Sequence, residues 1–423
     1  AANPFLDSQI VCISLDYLTR SMERSTQVLD AEWDLLIVDE AHHLAWTPEL
    51  ASTAYQIVEC LAQKIPSVLL LTATPQQLGP EGHFARLRLL DPARYNDLET
   101  FIEESGHYQE MAELVDRIDD QEELTATDWE MIKKSSSHLH DQYSEKKSLS
   151  KADRSQLIEN IIDSFGPGRV MFRNTRKALK GFPKRKPTLH PLDLSDEDSS
   201  AFEQKIEWLV DWLSEHREEK VLLICQTRAL VEEIYEAVQE QVNLNLSQFH
   251  EGLNLIQRDR QAAYFADPEA ARVLLCSEIG SEGRNFQFAH HLILWDLPEN
   301  PELVEQRIGR LDRIGQTDTI HIHLPYIPCT PAEVWVQFYN TGVGIFNNPV
   351  PTALILAHQF WEKLTCLSEK FDTDTLEALV TEVSGSCKEL GEQLENGYLR
   401  LLARNSNKPG QSELLREQIQ SSD

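Results

Sequence analysis

The sequence predicts an α/β protein with two parallel-sheet units, a helical acidic insertion between them and a mostly helical C-terminal region. Three observations lead there. Short apolar runs of strand length alternate with stretches of helical apolar spacing in the first 82 residues. That pattern stops over residues 83–165, which read as helical and strongly acidic with no strand signal. It resumes after the basic, proline-bearing segment that ends near residue 187 and continues to about residue 330. Apolar runs separated by amphipathic helices are the signature of a sheet covered on both faces. At 423 residues the chain also exceeds one hydrophobic core.

In order, "QIVCIS" predicts a strand and residues 16–30 a helix. "LLIVDE" predicts a strand, "ELASTAYQIVECLAQKI" a helix and "SVLLLTATP" another strand. After the acidic helical stretch, "RVMFR" returns to strand composition and "GFPKRKPTLHP" reads as a linker. A helix over about 200–216 precedes the strand "KVLLIC", the helix "ALVEEIYEAVQEQV" and the strand "LNLSQFH". A helix over 254–266 and the strands "ARVLLCS", "HHLILWD" and "TIHIHLPY" follow. From residue 331 helices dominate, and residues 375–402 suit a long helix or helical hairpin packed on its own domain. The expected domains are therefore 1–82, 83–187, 188–330 and 331–423.

Composition excludes several classes. There is no apolar run of membrane-spanning length, and "AANPFLDSQI" has no signal-peptide pattern, so a cytoplasmic protein without a membrane partner is expected. The start lacks Met, which suggests a piece of a longer chain. Seven scattered cysteines with no C-x-x-C pair argue against zinc and for inert thiols in a reducing compartment. The formal net charge of −30 repels nucleic acid as a whole. Charge is uneven, however: residues 99–130 hold 12 acids and one base, while 169–186 hold eight bases and no acid. Arg169, Arg173, Arg176 and Lys177 in that basic run are candidate phosphate contacts; a solvated linker face is the alternative.

Four segments carry chemistry. Asp39 and Glu40 end the "LLIVDE" run. In an open parallel sheet, ligands bind beyond the carboxyl ends of strands. An acid there can hold Mg²⁺ directly or through water, and its neighbour can orient or deprotonate an attacking water. A turn or helix-cap acid is the plainer reading. "LTATP", with Thr72 and Thr74, follows the next strand, and its hydroxyls suit a bond to a neighbouring acid or histidine. "CSEIGSEGRNFQ" places Gly280 and Gly283 after a strand, where glycine allows close backbone approach to a ligand, and Asn285 can bridge backbone or phosphate. In "EQRIGRLDRIGQ", Arg310 and Arg313 are three apart and share a face if the segment is helical. Two guanidinium groups aimed at a cleft neutralise charge developing on a transferred phosphoryl group better than lysine would.

In this order the segments resemble the helicase superfamily 2 motor. "DEAH" is similar to motif II, "TATP" to motif III, "SEIGSEGRN" to motif V and "QRIGRLDRIGQ" to motif VI. The R-I-G-Q ending resembles the SWI2/SNF2 branch. "WDLLIVDEAHHLAW", "LLLTATPQQLG", "HFARLRLLDPARY", "FRNTRKALKGFPKR", "FHEGLN" and "LLCSEIGSEGRNFQFA" resemble the bacterial RNA-polymerase-associated ATPases of the RapA family, over roughly residues 5–330. The resemblance implies two RecA-like lobes, the first truncated at its N-terminal side. It implies that Asp39 coordinates Mg²⁺ through water and that Glu40 activates the hydrolytic water. It further implies that His42, Thr72 and Thr74 couple nucleotide to movement, and that Gly283, Gln306, Arg310 and Arg313 complete the site. ATP and Mg²⁺, an RNA polymerase core partner, a DNA or RNA backbone and a monomeric state follow from the same likeness. One departure stands out: no G-x-x-x-x-G-K-[ST] occurs, so the loop that cradles the phosphates is missing and the chain alone is expected to be inactive. A strand-separating DEAH-type helicase and an inactive polymerase-binding module remain alternatives.

Overall fold

The computed structural model describes residues 3–72, 79–106, 108–135, 137–144, 146, 149–165, 182–193, 200–278, 286–313 and 315–396. The chain divides into two compact units, one within residues 1–175 and the other within 176–391.

In the first unit, α1 (Leu15–Thr19) and α2 (Met22–Leu29) begin at Ser14 and Ser21, whose hydroxyls accept the backbone N–H groups of Tyr17 and Arg24. Such serines satisfy donors that the first helical turn leaves open. The expected single helix over 16–30 is thus split at Ser21. The expected "QIVCIS" strand is absent: residues 11–14 pair with no strand, Ile10 is 90% exposed, and the run ends as a helix cap. β1 (Leu35–Val38) and β2 (Ser67–Leu70) are parallel, in register from Leu35 opposite Ser67 to Val38 opposite Leu70. Between them α3 (Thr53–Lys64) turns Tyr55, Val58 and Leu61 inward. The Tyr55 hydroxyl donates to the Ala85 carbonyl at 3.0 Å, which ties α3 to α4 (Gly79–Leu90).

The acidic stretch is helical, as expected. α5 (Leu98–Gly106) leads to α6 (Tyr108–Asp119), α7 (Ala126–Ser135), α8 (Ser137–Tyr143) and α9 (Lys151–Phe165). Met111, Leu114, Val115, Ile118, Ile132, Leu157 and Ile161 form a separate small core for the last four helices. Among the described residues Asp128 is the buried acid of this stretch, and it is paired with Arg117 and accepts from Thr125, so it is compensated where it is buried.

The second unit is a six-stranded, all-parallel sheet. Its strands are β3 (Arg185–Pro191), β4 (Val221–Cys225), β5 (Leu246–Phe249), β6 (Val273–Ser277), β7 (His291–Leu294) and β8 (Ile320–Tyr326), in the order β3-β8-β7-β4-β6-β5. The interior strands β4 and β6 are buried at every position, as continuous apolar runs predict. α10 (Ala201–Glu215), α11 (Arg228–Gln241), α12 (Leu255–Ala266) and α13 (Pro301–Ile308) match the expected helices. One element differs. The "KRKPTLHP" part of the expected linker includes β3, an edge strand, so this sheet begins at Arg185 rather than after residue 187. Prolines at 187 and 191 disguise it, yet an edge strand tolerates residues that lack an N–H. "RVMFR" lies outside the described residues.

α14 (Pro331–Gln337), a π-helical turn (Phe338–Val343), α15 (Ala353–Gln359), α16 (Trp361–Glu369) and α17 (Thr373–Asn396) follow. Leu376, Leu379, Val380 and Val383 of α17 join the same core as β8 and α14, so this helix packs on its own unit. Among the described residues no helix is long and apolar enough to cross a membrane.

Candidate functional site

The first unit builds one cluster beyond the ends of β1 and β2. The Leu71 N–H donates to Val38 O and the Ala41 N–H to Leu71 O, each at 2.8 Å, which continues the pairing past both strands. Glu40 sits between those bonds in the left-handed region, at φ 49°. A non-glycine residue held there marks a backbone whose surroundings dictate its shape. The Glu40 N–H donates to Asp39 Oδ1 at 2.9 Å, and Asp39 is exposed. One exposed carboxylate with its second oxygen turned to no hydrogen bond suits a hydrated Mg²⁺, which takes one or two carboxylates and keeps several waters. His42 is 7% exposed, and its Nδ1 lies 3.2 Å from both Thr72 Oγ1 and Glu40 Oε2. His42 therefore contacts both the acid and the threonine hydroxyl singled out in the sequence. Thr74 lies outside the described residues.

In the second unit α13 ends at Ile308, with Gly309 as its cap, and the following residues form a turn. The condition for Arg310 and Arg313 to share a helical face is therefore not met. Arg310 is 7% exposed and its carbonyl accepts the Phe286 N–H at 3.3 Å, whereas Arg313 is exposed, with Nε donating to Gly309 O at 3.0 Å. Gln306 is half-buried on α13. Gly283, Asn285, Arg169, Arg173, Arg176 and Lys177 lie outside the described residues.

Three residues missed by the sequence reading hold the arginine segment. Arg307, 1% exposed, donates from Nε to both Glu278 oxygens at 3.1 and 2.9 Å and from a terminal nitrogen to Asp296 Oδ1 at 3.0 Å. Burial works against its charged form, but hydrogen bonding to Glu278 and the charge of Asp296 outweigh it and raise its pKa. Arg185, the first residue of β3, donates to Glu305 at 2.9 Å, to Asp312 at 2.5 Å and to the Ile345 carbonyl at 2.8 Å. Burial is likewise outweighed there, by the bond to Glu305 first and then the charges of Glu305 and Asp312. Gln316 is buried, and its amide donates to Gln287 O at 2.6 Å and Ala289 O at 3.2 Å. It is the last letter of R-I-G-Q, so that spelling was the available signal. Gly315 beside it has φ +100°, which side-chain-bearing residues rarely adopt. Gly315→Ala should destabilise the second unit by about 1–3 kcal/mol. A urea midpoint unchanged from the parent would contradict that.

Comparison with known proteins adds the following. Residues 204–315 match the family described as "Helicase conserved C-terminal domain". Residues 319–423 match "RNA polymerase recycling family C-terminal", and residues 4–77 match "Type III restriction enzyme, res subunit". The chain is 42% identical to the RNA polymerase-associated protein RapA of Pseudomonas putida (strain GB-1), over 99% of this chain and 47% of that protein. It is 41% identical to the same-named protein of Pseudomonas fluorescens (strain SBW25), with the same two coverages. Against that of Stutzerimonas stutzeri (strain A1501), identity is 42% over 100% of this chain and 48% of the relative. The chain thus spans about half the length of the curated relatives it matches. A Sulfolobus solfataricus SWI2/SNF2 ATPase core, solved in complex with dsDNA, aligns at 17% identity and TM-score 0.30, over 83% of this chain and 75% of that one.

Proposed function

The chain belongs to the RapA family of RNA polymerase-associated proteins, and on that premise we propose that the protein is an ATP-driven nucleic-acid translocase of the SWI2/SNF2 type that binds RNA polymerase and aids its recycling. The observation that carries the reading is the pairing of a helicase-type match with a polymerase-recycling match, end to end, in one chain. The contact of Glu40, His42 and Thr72 beyond two parallel strands supports it from the structure.

In this reading Asp39 holds Mg²⁺ through water and Glu40 positions and deprotonates the attacking water. Mg²⁺ supplies neutralisation of phosphate charge. His42, Thr72, Thr74 and Gln306 couple the nucleotide to movement, and Gly283 and Asn285 contact the nucleotide. Arg310 and Arg313 neutralise charge on the γ-phosphoryl group, in a segment whose neighbours Arg307 and Asp312 are tied down by ion pairs. Arg169, Arg173, Arg176 and Lys177 meet the nucleic-acid backbone, so binding is sequence-independent and weakens with salt. The protein is cytoplasmic and monomeric.

The 423 residues contain no G-x-x-x-x-G-K-[ST]. By itself this chain therefore binds polymerase without turning over ATP. Size-exclusion chromatography of the chain with core RNA polymerase at micromolar concentration and low salt should give co-elution. Separate elution of the two would remove the polymerase from the proposal.

A further inference from the structure

One cluster in the second unit has no part in the site described above. His190 at the end of β3, His323 on β8 and His291 on β7 form a chain of imidazoles. His190 Nε2 lies 3.1 Å from His323 Nδ1, and His323 Nε2 lies 3.0 Å from His291 Nδ1. His291 Nε2 then lies 3.5 Å from Glu219 Oε2. A carboxylate only accepts, so a His291 Nε2–H directed at Glu219 leaves His291 Nδ1 to accept from His323 and His323 Nδ1 to accept from His190.

We propose that this imidazole chain is an acid-sensitive latch, in which protonation frees the edge strand β3 from β8 and releases the Arg185 clamp on Glu305 and Asp312.

Every receiving nitrogen inside the chain is already taken. A proton added at Nδ1 of His323 meets the N–H of His190, and one added at Nδ1 of His291 meets the N–H of His323. Two N–H groups then face each other at hydrogen-bond distance unless the neighbouring ring gives up its own proton. The surroundings offer little to hold extra positive charge. His321 on β8 stacks on His291 with ring centres 4.9 Å apart, and Trp212 of α10 lies 4.8 Å from His323. His216, after α10, stacks on Trp212 at 4.1 Å. The fixed charges nearby are Lys186 on β3, Arg272 ahead of β6, which donates to the His216 carbonyl, and Glu219. Asp318 sits 4.0 Å from His290, at the edge of the cluster. Burial is accordingly the main force holding the His323 pKa down at about 3 and that of His291 at about 4, against 6.5 for free imidazole, with the neighbouring histidines adding to it.

β3 is the weak point. Among the described residues it is an edge strand paired with β8 alone, it carries Arg185 at its first residue and it carries His190 one residue from its end. The same seven residues thus hold the histidine chain at one end and the arginine segment at the other.

Both rings are neutral when folded and take protons near pH 6.5 when unfolded. Stability is therefore present above that pH and declines as pH falls toward the folded-state values. Each histidine should raise the unfolding constant about tenfold per pH unit in this window. The test is urea unfolding of the 423-residue chain from pH 7.5 to 5, followed by tryptophan fluorescence, with hydrogen exchange read at β3. The expected result is an unfolding constant that rises as pH falls, with β3 amides losing protection before those of β4 and β6. His291→Gln combined with His323→Gln should lower that slope by about two protons and remove the early loss of protection in β3. Equal slopes for parent and double variant, or loss of protection in β4 no later than in β3, overturns the proposal. Should the double variant not fold, ring-nitrogen NMR of the parent decides. Charged His291 and His323 rings that appear together with loss of β3 amide protection support the latch, and charged rings in a chain whose β3 amides stay protected overturn it.

Discussion

Arg310→Ala is expected to lower ATP turnover by about 10³–10⁵-fold when this chain is joined behind the N-terminal half of a RapA relative that carries a phosphate loop. Glu40→Gln in the same chimera should cost about 10²–10⁴-fold, the usual range for losing a positioned general base. Both effects should fall on kcat if, as proposed, each group acts on charge or proton transfer that arises as the γ-phosphoryl group departs. Steady-state kinetics with saturating nucleic acid would check them. A chimera that retained its kcat with Arg310→Ala would remove that residue from the chemistry, and one that retained it with Glu40→Gln would leave the water to another base. The environments of the two arginines point to a further difference. Arg310 is buried and backbone-anchored, while Arg313 is exposed and bonded to the carbonyl of Gly309.

Arg307→Ala is expected to have the largest effect on folding, about 3–5 kcal/mol against the second unit, because it removes the buried cation that both carboxylates contact. Glu278 and Asp296 lie beyond the ends of β6 and β7, and Arg307 is the cation that joins them. For a unit of this size the loss corresponds to a fall in Tm of about 6–20 °C. Arg313→Ala, which removes only an exposed side chain, should stay within about 0.5 kcal/mol of the parent. Calorimetry of the two variants separates an arginine that builds the unit from one that leaves it unchanged. Equal Tm values for both would mean that the Glu278 and Asp296 bonds contribute nothing net.

Much of the architecture was legible because it is written in local apolar periodicity. "KVLLIC" and "ARVLLCS" are apolar without interruption, and both became strands buried at every position. "QIVCIS" misled because a short apolar run becomes a strand only where a neighbour supplies hydrogen bonds, and residues 11–14 have none. "KRKPTLHP" misled in the opposite sense. Its basic residues and prolines look like a linker, yet pairing with β8 alone is enough for an edge strand.

In the candidate site, residue identity was legible and environment was not. The spelling of "QRIGRLDRIGQ" singled out arginines, but nothing local says that Arg307 is a structural bridge, Arg310 buried and Arg313 exposed. Those differences come from partners far away in sequence: Arg307 reaches back 29 residues to Glu278, and Arg185 reaches forward 127 residues to Asp312.

The sequence by itself determined the parallel α/β class, most of its helices and strands, the acidic helical stretch and the family. Each of these rests on nearest-neighbour patterns or on short motifs, which a linear string carries completely. The tertiary structure alone decided that β3 lies at the edge of the described sheet, that Glu40 is held in a left-handed turn against His42, that Arg185 joins Glu305 to Asp312 and that Arg307 joins Glu278 to Asp296. It also decided that three histidines spread over 133 residues meet in one hydrogen-bonded chain. Burial and pairing depend on the order of strands in the sheet, and that order is set by the packing of the whole unit rather than by any segment within it.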